Sequence, residues 1–287
     1  MNSKPKYINL LGSLIDLSVP KVMGIINVTP DSFYKGSRHL NEDEILAEAE
    51  QMLKEGADIL DVGGYSTRPG AEDVPPEEER LRVMKAIRLL TDNFPGTAVS
   101  IDTFRSQIAA EAVLDCGAGM INDVSGGEAD KDMFDTVVRL GVPYVLMHMQ
   151  GTPATMQLNP VYSDVVADVI RWLGERVHTL QSKGAKDIIV DPGFGFGKTI
   201  DHNFEILCRL NEFSVLQLPL LAGLSRKSMI WKTLGTTPEQ ALNGTTALNA
   251  IAILNGADII RVHDVAEAVQ AVKLASKVRE SCQKQSE

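Results

Sequence analysis

Short apolar runs alternate with longer amphipathic stretches along most of the chain. The short runs are Lys21–Asn27, Asp58–Gly63, Ala98–Thr103, Met120–Val124, Pro143–His148, Asp187–Asp191, Leu218–Gly223 and Asp258–His263. They are mostly Val, Ile and Leu, the pattern of strands buried on both faces. Helical signals lie between them. Ile45, Leu46, Ala49, Met52 and Leu53 form a helical stripe, with Asn41 as N-cap, Glu44 as its N3 acid and Gly56 as the stop. Pro75, Pro76 and the acids Glu77 to Glu79 predict a second helix start, where the macrodipole favours negative charge.

A Gly-Ala pair precedes every second strand, at Gly56-Ala57, Gly117-Ala118, Gly184-Ala185 and Gly256-Ala257. The steps match two strand–helix units of about 30 to 36 residues each, with the glycine as helix C-cap. Eight such units predict an α/β fold, a (β/α)8 TIM barrel occupying 21–280 as one domain. The rival, an open doubly wound sheet, lacks its glycine fingerprint after the first strand. Residues 1–20 read as an N-terminal extension, in which Tyr7–Ser18 forms a short β-hairpin covering the bottom of the barrel. Residues 281–287 read as a frayed tail.

Composition narrows the class. At 44% hydrophobic the chain supports a large core. Acidic residues outnumber basic ones 38 to 28, giving a net charge of −10, which argues against a nucleic-acid partner. No run of about 18 apolar residues occurs, so no membrane span is expected. The N-terminus lacks the apolar core of a secretory signal. Cys116, Cys208 and Cys282 are scattered and odd in number, as in a reducing compartment, and form no zinc spacing. The expectation is a cytoplasmic protein.

In such a barrel, chemistry sits where strands end. The eight ends carry Asn27 to Asp31, Ser66 to Pro69, Asp102-Thr103, Asn122-Asp123, His148 with Gln150, Asp191, Ser225 to Ser228, and Arg261 with His263. Any single Asp or Thr after a strand reads first as a cap or turn residue, and Thr103 and Asp123 are read that way. Arg226 reads as a surface or salt-bridge residue, and His39, His178 and His202 as structural or solvated. His148 reads equally as a buried, satisfied histidine and as a pocket wall. The excess of polar side chains on one rim is what chance caps do not explain. Arg68, Lys227, Arg261 and His263 make a local cationic area in an acidic protein, suited to a phosphate-bearing ligand. Asp102, Asn122 and Asp191 offer donors and acceptors for the edge of a planar, nitrogen-rich heterocycle. A hard ion such as Mg²⁺, held by one or two oxygens plus substrate phosphates, is compatible with this set. Pro192-Gly-Phe-Gly-Phe-Gly-Lys198-Thr199 imitates a P-loop but has Pro192 where the first Gly is required. Its glycines read instead as allowing loop backbone close to a ligand.

Taken together and in order, the motifs resemble those of the dihydropteroate synthase family. They are Met23-Gly-Ile-Ile-Asn-Val-Thr-Pro-Asp-Ser-Phe33, Asp61-Val-Gly-Gly-Tyr-Ser-Thr-Arg-Pro-Gly70, Ser100-Ile-Asp-Thr103 and Asn122-Asp-Val-Ser-Gly-Gly127. Met147-His-Met-Gln-Gly-Thr-Pro153, Asp191-Pro-Gly-Phe-Gly-Phe196, Ser225-Arg-Lys-Ser228 and Arg261-Val-His-Asp-Val265 follow. The resemblance spans about Lys21 to Ala275. It implies condensation of 4-aminobenzoate with 6-hydroxymethyl-7,8-dihydropterin diphosphate, giving 7,8-dihydropteroate and pyrophosphate, with Mg²⁺ as cofactor and a homodimer as assembly. It implies pterin binding by Asp102, Asn122, Met147, Asp191, Lys227 and Arg261. Asn27, Arg68, Arg261 and His263 are implied at the diphosphate, with Asn27 also on the metal. Phe33, Thr67, Pro69, Phe196 and Ser228 are implied at aminobenzoate, and Asp31 in closure of the first loop. Asp102, Lys227, Arg261 and His263 are the implied catalytic set. Departures from the family pattern are Tyr34 and Lys35 in the first loop, Tyr65 where Glu is frequent, and Leu224 where Thr is frequent. A methyltetrahydrofolate-dependent methyltransferase would share the pterin acids but not the Ser-Thr-Arg-Pro and Arg-Val-His segments. A non-catalytic pterin-binding protein would be expected to lack Asn27, Arg68, Lys227 or His263, and all four are present.

Overall fold

The computed structural model describes residues 6–29, 42–65, 73–151, 156 and 160–283. A hairpin of β1 (Tyr7–Leu10) and β2 (Ser13–Asp16) opens it. The barrel strands follow: β3 (Lys21–Asn27), β4 (Ile59–Gly63), β5 (Ala98–Asp102), β6 (Met120–Asp123), β7 (Tyr144–Met147), β8 (Ile188–Asp191), β9 (Leu221–Ala222) and β10 (Ile259–Val262). These eight are parallel, in the order β8-β7-β6-β5-β4-β3-β10-β9. A bridge between Val190 and Leu220, with Val190 N donating to Pro219 O at 2.9 Å, links the two ends and closes the cylinder. Around it lie α1 (Glu42–Glu55), α2 (Pro76–Asn93), α3 (Ser106–Cys116), α4 (Met133–Leu140) and α5 (Val165–Lys183). The ring is completed by α6 (Ile200–Cys208), α7 (Ser228–Thr233), α8 (Leu242–Leu254) and α9 (Val265–Gln283). None of the described helices is long and apolar enough to cross a membrane.

The four Gly-Ala pairs do the same job. Gly56, Gly117, Gly184 and Gly256 all take positive φ, between 79° and 106°. After each, the alanine N–H returns to a carbonyl five or six residues earlier: Ala57 to Met52 O, Ala118 to Ala112 O, Ala185 to Leu180 O and Ala257 to Ala252 O, all at 2.9 Å. That is the bond pattern of a glycine C-cap, and it delivers the chain into the next strand.

Seven strands match their expected bounds to within a residue at each end. The exception is the run Leu218–Gly223, which is a strand only at Leu221–Ala222. Gln217 turns the chain with φ 55°, and Pro219 has no N–H to place in a ladder. The stripe of α1 buries Ile45, Ala49 and Met52 as expected, while its expected cap Asn41 lies outside the described residues. Helix α2 begins at Pro76 after Pro75, but Glu79 is not a solvated dipole acid: it is fully buried.

Strand alternation stacks the barrel interior in layers. The lowest holds Met23, Ile59, Ala98, Met120, Val145, Ile189, Leu221 and Ile259, and Ile8, Leu10 and Leu17 of the N-terminal segment pack beneath them. Lys6 pairs with Asp258 at 2.6 Å, and Asn9 N donates to Asp187 Oδ1 at 3.0 Å, fastening the hairpin to the bottom. Two residues further up each strand stand Ile25, Asp61, Ser100, Asn122, Met147, Asp191, Gly223 and Arg261. The same interior therefore passes from wholly apolar to mostly polar in one step of about 7 Å.

Candidate active site

Asp61 is central to the polar layer, and its carboxylate is fully buried. Its Oδ2 accepts from Arg261 Nε at 2.6 Å and from Asn122 Nδ2 at 3.0 Å. Arg261 Nη2 donates to Asp102 Oδ2, also at 2.6 Å. One guanidinium thus spans carboxylates from β4 and β5, and Asn122 of β6 is tied to the first of them. Burial opposes the Arg261 charge, but Asp61 and Asp102 outweigh it and raise its pKa. Burial drives Asp102 up to about 7 against the pull of Arg261, with Asp61, Glu79 and Asp123 adding to the rise. Asp191 is also raised by burial, tempered by Lys227, and its Oδ1 accepts from Gly193 N at 2.7 Å.

Lys227 immediately precedes α7. Its ammonium donates to Phe194 O and lies 4.8 Å over the Phe196 ring. Burial lowers its pKa to about 8, with Asp191 working the other way. His263, just past β10, has Nδ1 2.9 Å from Ser225 Oγ, and its own N–H donates to that oxygen at 3.2 Å. Met147 lies with Val124, Met149 and Met156 in an apolar patch against Phe104 and Phe196. The patch gives one wall a flat, polarizable surface beside the polar floor.

The structure therefore brings together Asp102, Asn122, Met147, Asp191, Lys227, Arg261 and Phe196, with His263 beside Ser225 just past β10, Asn27 at the end of β3 and Ser228 at the start of α7. Asp31, Phe33, Thr67, Arg68 and Pro69 lie outside the described residues, as do Tyr34 and Lys35. Tyr65 donates to Asp73 Oδ1 at 3.0 Å and meets Phe104 edge-on at 5.0 Å. Leu224 is fully buried.

Several expectations change meaning. Asp123 does cap a turn, accepting from Ser125 N and Gly127 N at 2.8 Å, but it also takes the Tyr144 hydroxyl in a fully buried cluster. Thr103 Oγ1 accepts from Arg105 N and donates to buried Glu79, which also holds the Arg105 guanidinium. Arg226 pairs with Asp264, as a salt-bridge residue should. His202 completes a capping box with Thr199. Lys198 of the false P-loop points inward onto carbonyls and His148, not toward a phosphate. Asp61 and Lys198 had no expected role in the site, and Glu79 was expected only as a helix-start acid. A charge in the middle of an otherwise apolar strand was the available signal for Asp61, since buried charges need partners.

Mg²⁺ was expected on Asn27. Among the described residues no group of three His, Cys, Asp or Glu could cage a metal. Asn27, at the end of β3, offers one side-chain oxygen, which fits a Mg²⁺ that keeps most of its waters.

The sequence profile of the pterin binding enzyme family matches residues 23–263. The chain belongs to the pterin-binding enzymes. It is 44% identical over 265 residues to the dihydropteroate synthase of Escherichia coli K12, covering 92% of this chain and 93% of that one. A crystal structure of Yersinia pestis dihydropteroate synthase in a sulfonamide drug complex superposes with a TM-score of 0.90 at 40% identity, covering 96% of this chain and 99% of that one. The Xanthomonas albilineans dihydropteroate synthase with 4-aminobenzoic acid gives 0.88 at 41% identity, with the same coverage. Family membership gives the layered interior its meaning, because a pterin is the kind of planar, donor-rich ring that a floor of carboxylates and one amide fits.

Proposed function

We infer that the chain is a dihydropteroate synthase of folate biosynthesis. It condenses 4-aminobenzoate with 6-hydroxymethyl-7,8-dihydropterin diphosphate, releasing pyrophosphate. The observation that carries this reading is the polar layer built by Asp61, Asn122, Asp191 and Arg261 directly above an apolar floor, in a barrel 44% identical to a synthase over nearly its full length.

Asp102, Asn122 and Asp191 bind the ring's amino and N–H groups, with Met147 against its face. Asp61 takes no ligand contact in this reading; it holds Arg261 and Asn122 in place. Lys227 donates to the ring carbonyl side, and its proximity to Asp191 keeps it charged near neutral pH. The electron-rich dihydropterin expels pyrophosphate and leaves a delocalised cation at its methylene carbon. Arg68, Arg261 and His263 stabilise the leaving charge, and the carboxylates beneath the ring stabilise the cation. The aromatic amine of aminobenzoate, neutral at pH 7, then attacks the methylene carbon and loses its proton to water. Phe33, Thr67, Pro69, Phe196 and Ser228 hold aminobenzoate, with Ser228 donating to its carboxylate. Asp31 acts in first-loop closure. Mg²⁺, when bound with the diphosphate at Asn27, supplies charge neutralisation of the leaving group. No covalent enzyme intermediate is required.

The enzyme works in the cytoplasm as a homodimer. Support for the dimer comes from Ile251 and Leu254 on α8 and Leu274 and Val278 on α9, large apolar side chains that are exposed on adjacent helices. The deciding experiment is a coupled pyrophosphate-release assay with the diphosphate substrate, with and without aminobenzoate. Release that depends on aminobenzoate, with dihydropteroate as product, is expected. Methyl transfer from methyltetrahydrofolate in place of that reaction overturns the reading.

A further inference from the structure

Lys198 is one of the most deeply buried charged side chains in the molecule, only 3% exposed, and it touches no part of the polar layer directly. Its Nζ lies 2.9 Å from His148 Nδ1, 2.9 Å from Phe196 O and 3.0 Å from Gly193 O, with His148 O at 3.4 Å. The two carbonyls accept from Nζ, and His148 Nδ1 completes the set either as acceptor from an ammonium or as donor to the lone pair of a neutral amine. Burial first, then the Lys198 charge, push the His148 pKa down to about 2, so the ring is neutral. Burial lowers the Lys198 pKa well below its ordinary value, with Asp191 working the other way.

The two loops that Lys198 joins are packed without room for adjustment. A Cβ on Gly193 would stand 1.9 Å from His148 O, and one on Gly197 2.5 Å from Gln150 O. The loop from Gly193 to Lys198 carries three contacts of the site: Gly193 N to Asp191, Phe194 O to Lys227, and the Phe196 ring beneath the same ammonium. The loop starting at His148 continues directly from Met147. Resting on the synthase reading above, we propose that Lys198 is a positioning residue, whose side-chain nitrogen ties the loop after β8 to the end of β7 and thereby sets the aminobenzoate wall and the Lys227 amine. It acts through loop carbonyls and never meets substrate.

Lys198→Met keeps the length and removes the nitrogen with its hydrogen bonds; Lys198→Ala leaves a space shaped for propylamine, lined by the same carbonyls. The wild-type enzyme is assayed first, and an inactive wild type overturns the synthase reading and this proposal with it. With active wild type, Lys198→Met is expected to fold, by circular dichroism, yet to lose at least about tenfold in kcat/KM with a raised aminobenzoate KM. Propylamine is expected to restore Lys198→Ala, and 1-propanol, which fills the same space but has one O–H for the two carbonyls, is not. Retention of kcat/KM within about twofold by Lys198→Met, or equal rescue by 1-propanol, overturns the proposal. Should Lys198→Met not fold, His148→Gln and His148→Leu decide it. The glutamine retains a hydrogen-bond partner for Lys198 and should keep the wild-type aminobenzoate KM, whereas the leucine should raise it; equal behaviour of the two overturns the proposal.

Discussion

Asp102 answers to two opposing demands. Binding a heterocycle's N–H groups calls for a carboxylate, and burial disfavours one. Its pKa is raised from 3.8 to about 7, so the folded protein holds a proton there that the unfolded chain has released. The native state binds more protons than the unfolded state across that window, so this group's contribution to stability is complete below the ordinary value and falls as pH rises to about 7. Thermal melts of wild type and Asp102→Asn across the window should show the variant gaining relative stability with rising pH; parallel curves would remove Asp102 as the source. Binding should move the other way. Asp102→Asn replaces an acceptor by a donor and should weaken the free pterin alcohol by roughly tenfold to a hundredfold, about 1–3 kcal/mol. His263→Ala should leave that titration nearly unchanged and weaken Mg²⁺-pyrophosphate instead. Equal loss of the alcohol in both variants would mean that the two subsites are not divided in this way. Asp102, Asn122, Asp191 and Arg261 were legible in the sequence because each is a polar residue at or near the end of an apolar run. Asp61 was not, because its role is defined by Arg261, 200 residues away, and Asn122, 61 residues away. Glu79 looked like a helix-start acid for the same reason: Thr103 and Arg105 reach it only in the folded chain.

At the scale of elements, the strands and the glycine caps were legible because both rest on local chemistry: buried runs of branched side chains, and a left-handed turn that glycine takes without strain. The seventh strand shrank because pairing, not hydrophobicity, sets strand length. The hairpin makes a claim that can be measured. Leu10 is nearly fully buried and packs, with Ile8 and Leu17, on the lowest interior layer. Leu10→Ala should destabilise the protein by about 2–5 kcal/mol in urea unfolding while leaving the aminobenzoate KM unchanged at a temperature where the variant is folded. A changed KM would show that the bottom of the barrel reaches the site. Gly193→Ala tests the opposite end. Its Cβ would collide with the backbone oxygen of His148 and its φ of 71° is unfavourable for alanine, so both stability and kcat/KM should fall together.

For the whole molecule, depth predicts order. Asn122, Met147, Asp191 and Arg261 belong to the middle layer, whereas Phe196 and Ser228, the described residues of the proposed aminobenzoate side, lie past the strand ends. Calorimetry should therefore find aminobenzoate binding weak to the apo enzyme and at least about tenfold tighter with Mg²⁺-pyrophosphate present; equal affinity in both would rule out ordered assembly. The exposed apolar residues of α8 and α9 predict the assembly state. Sedimentation should show a dimer for wild type and a monomer for the double variant Leu274→Glu, Val278→Glu, and an unchanged dimer would place the interface elsewhere.

The layered interior also has a consequence for how the chain tolerates change. On β4, β6, β8 and β10, a step of two residues separates a position that only fills space from one in the polar layer: Ile59 from Asp61, Met120 from Asn122, Ile189 from Asp191, Ile259 from Arg261. A saturation library over those eight positions, sorted once for expression and once for growth without external folate, should split into two populations. Lower-layer variants should disappear in the first sort, whereas middle-layer variants should pass it and disappear in the second. Substitutions that empty the middle layer of charge should rise in the first sort, because there the chain gives up stability to keep a polar floor for its ligand.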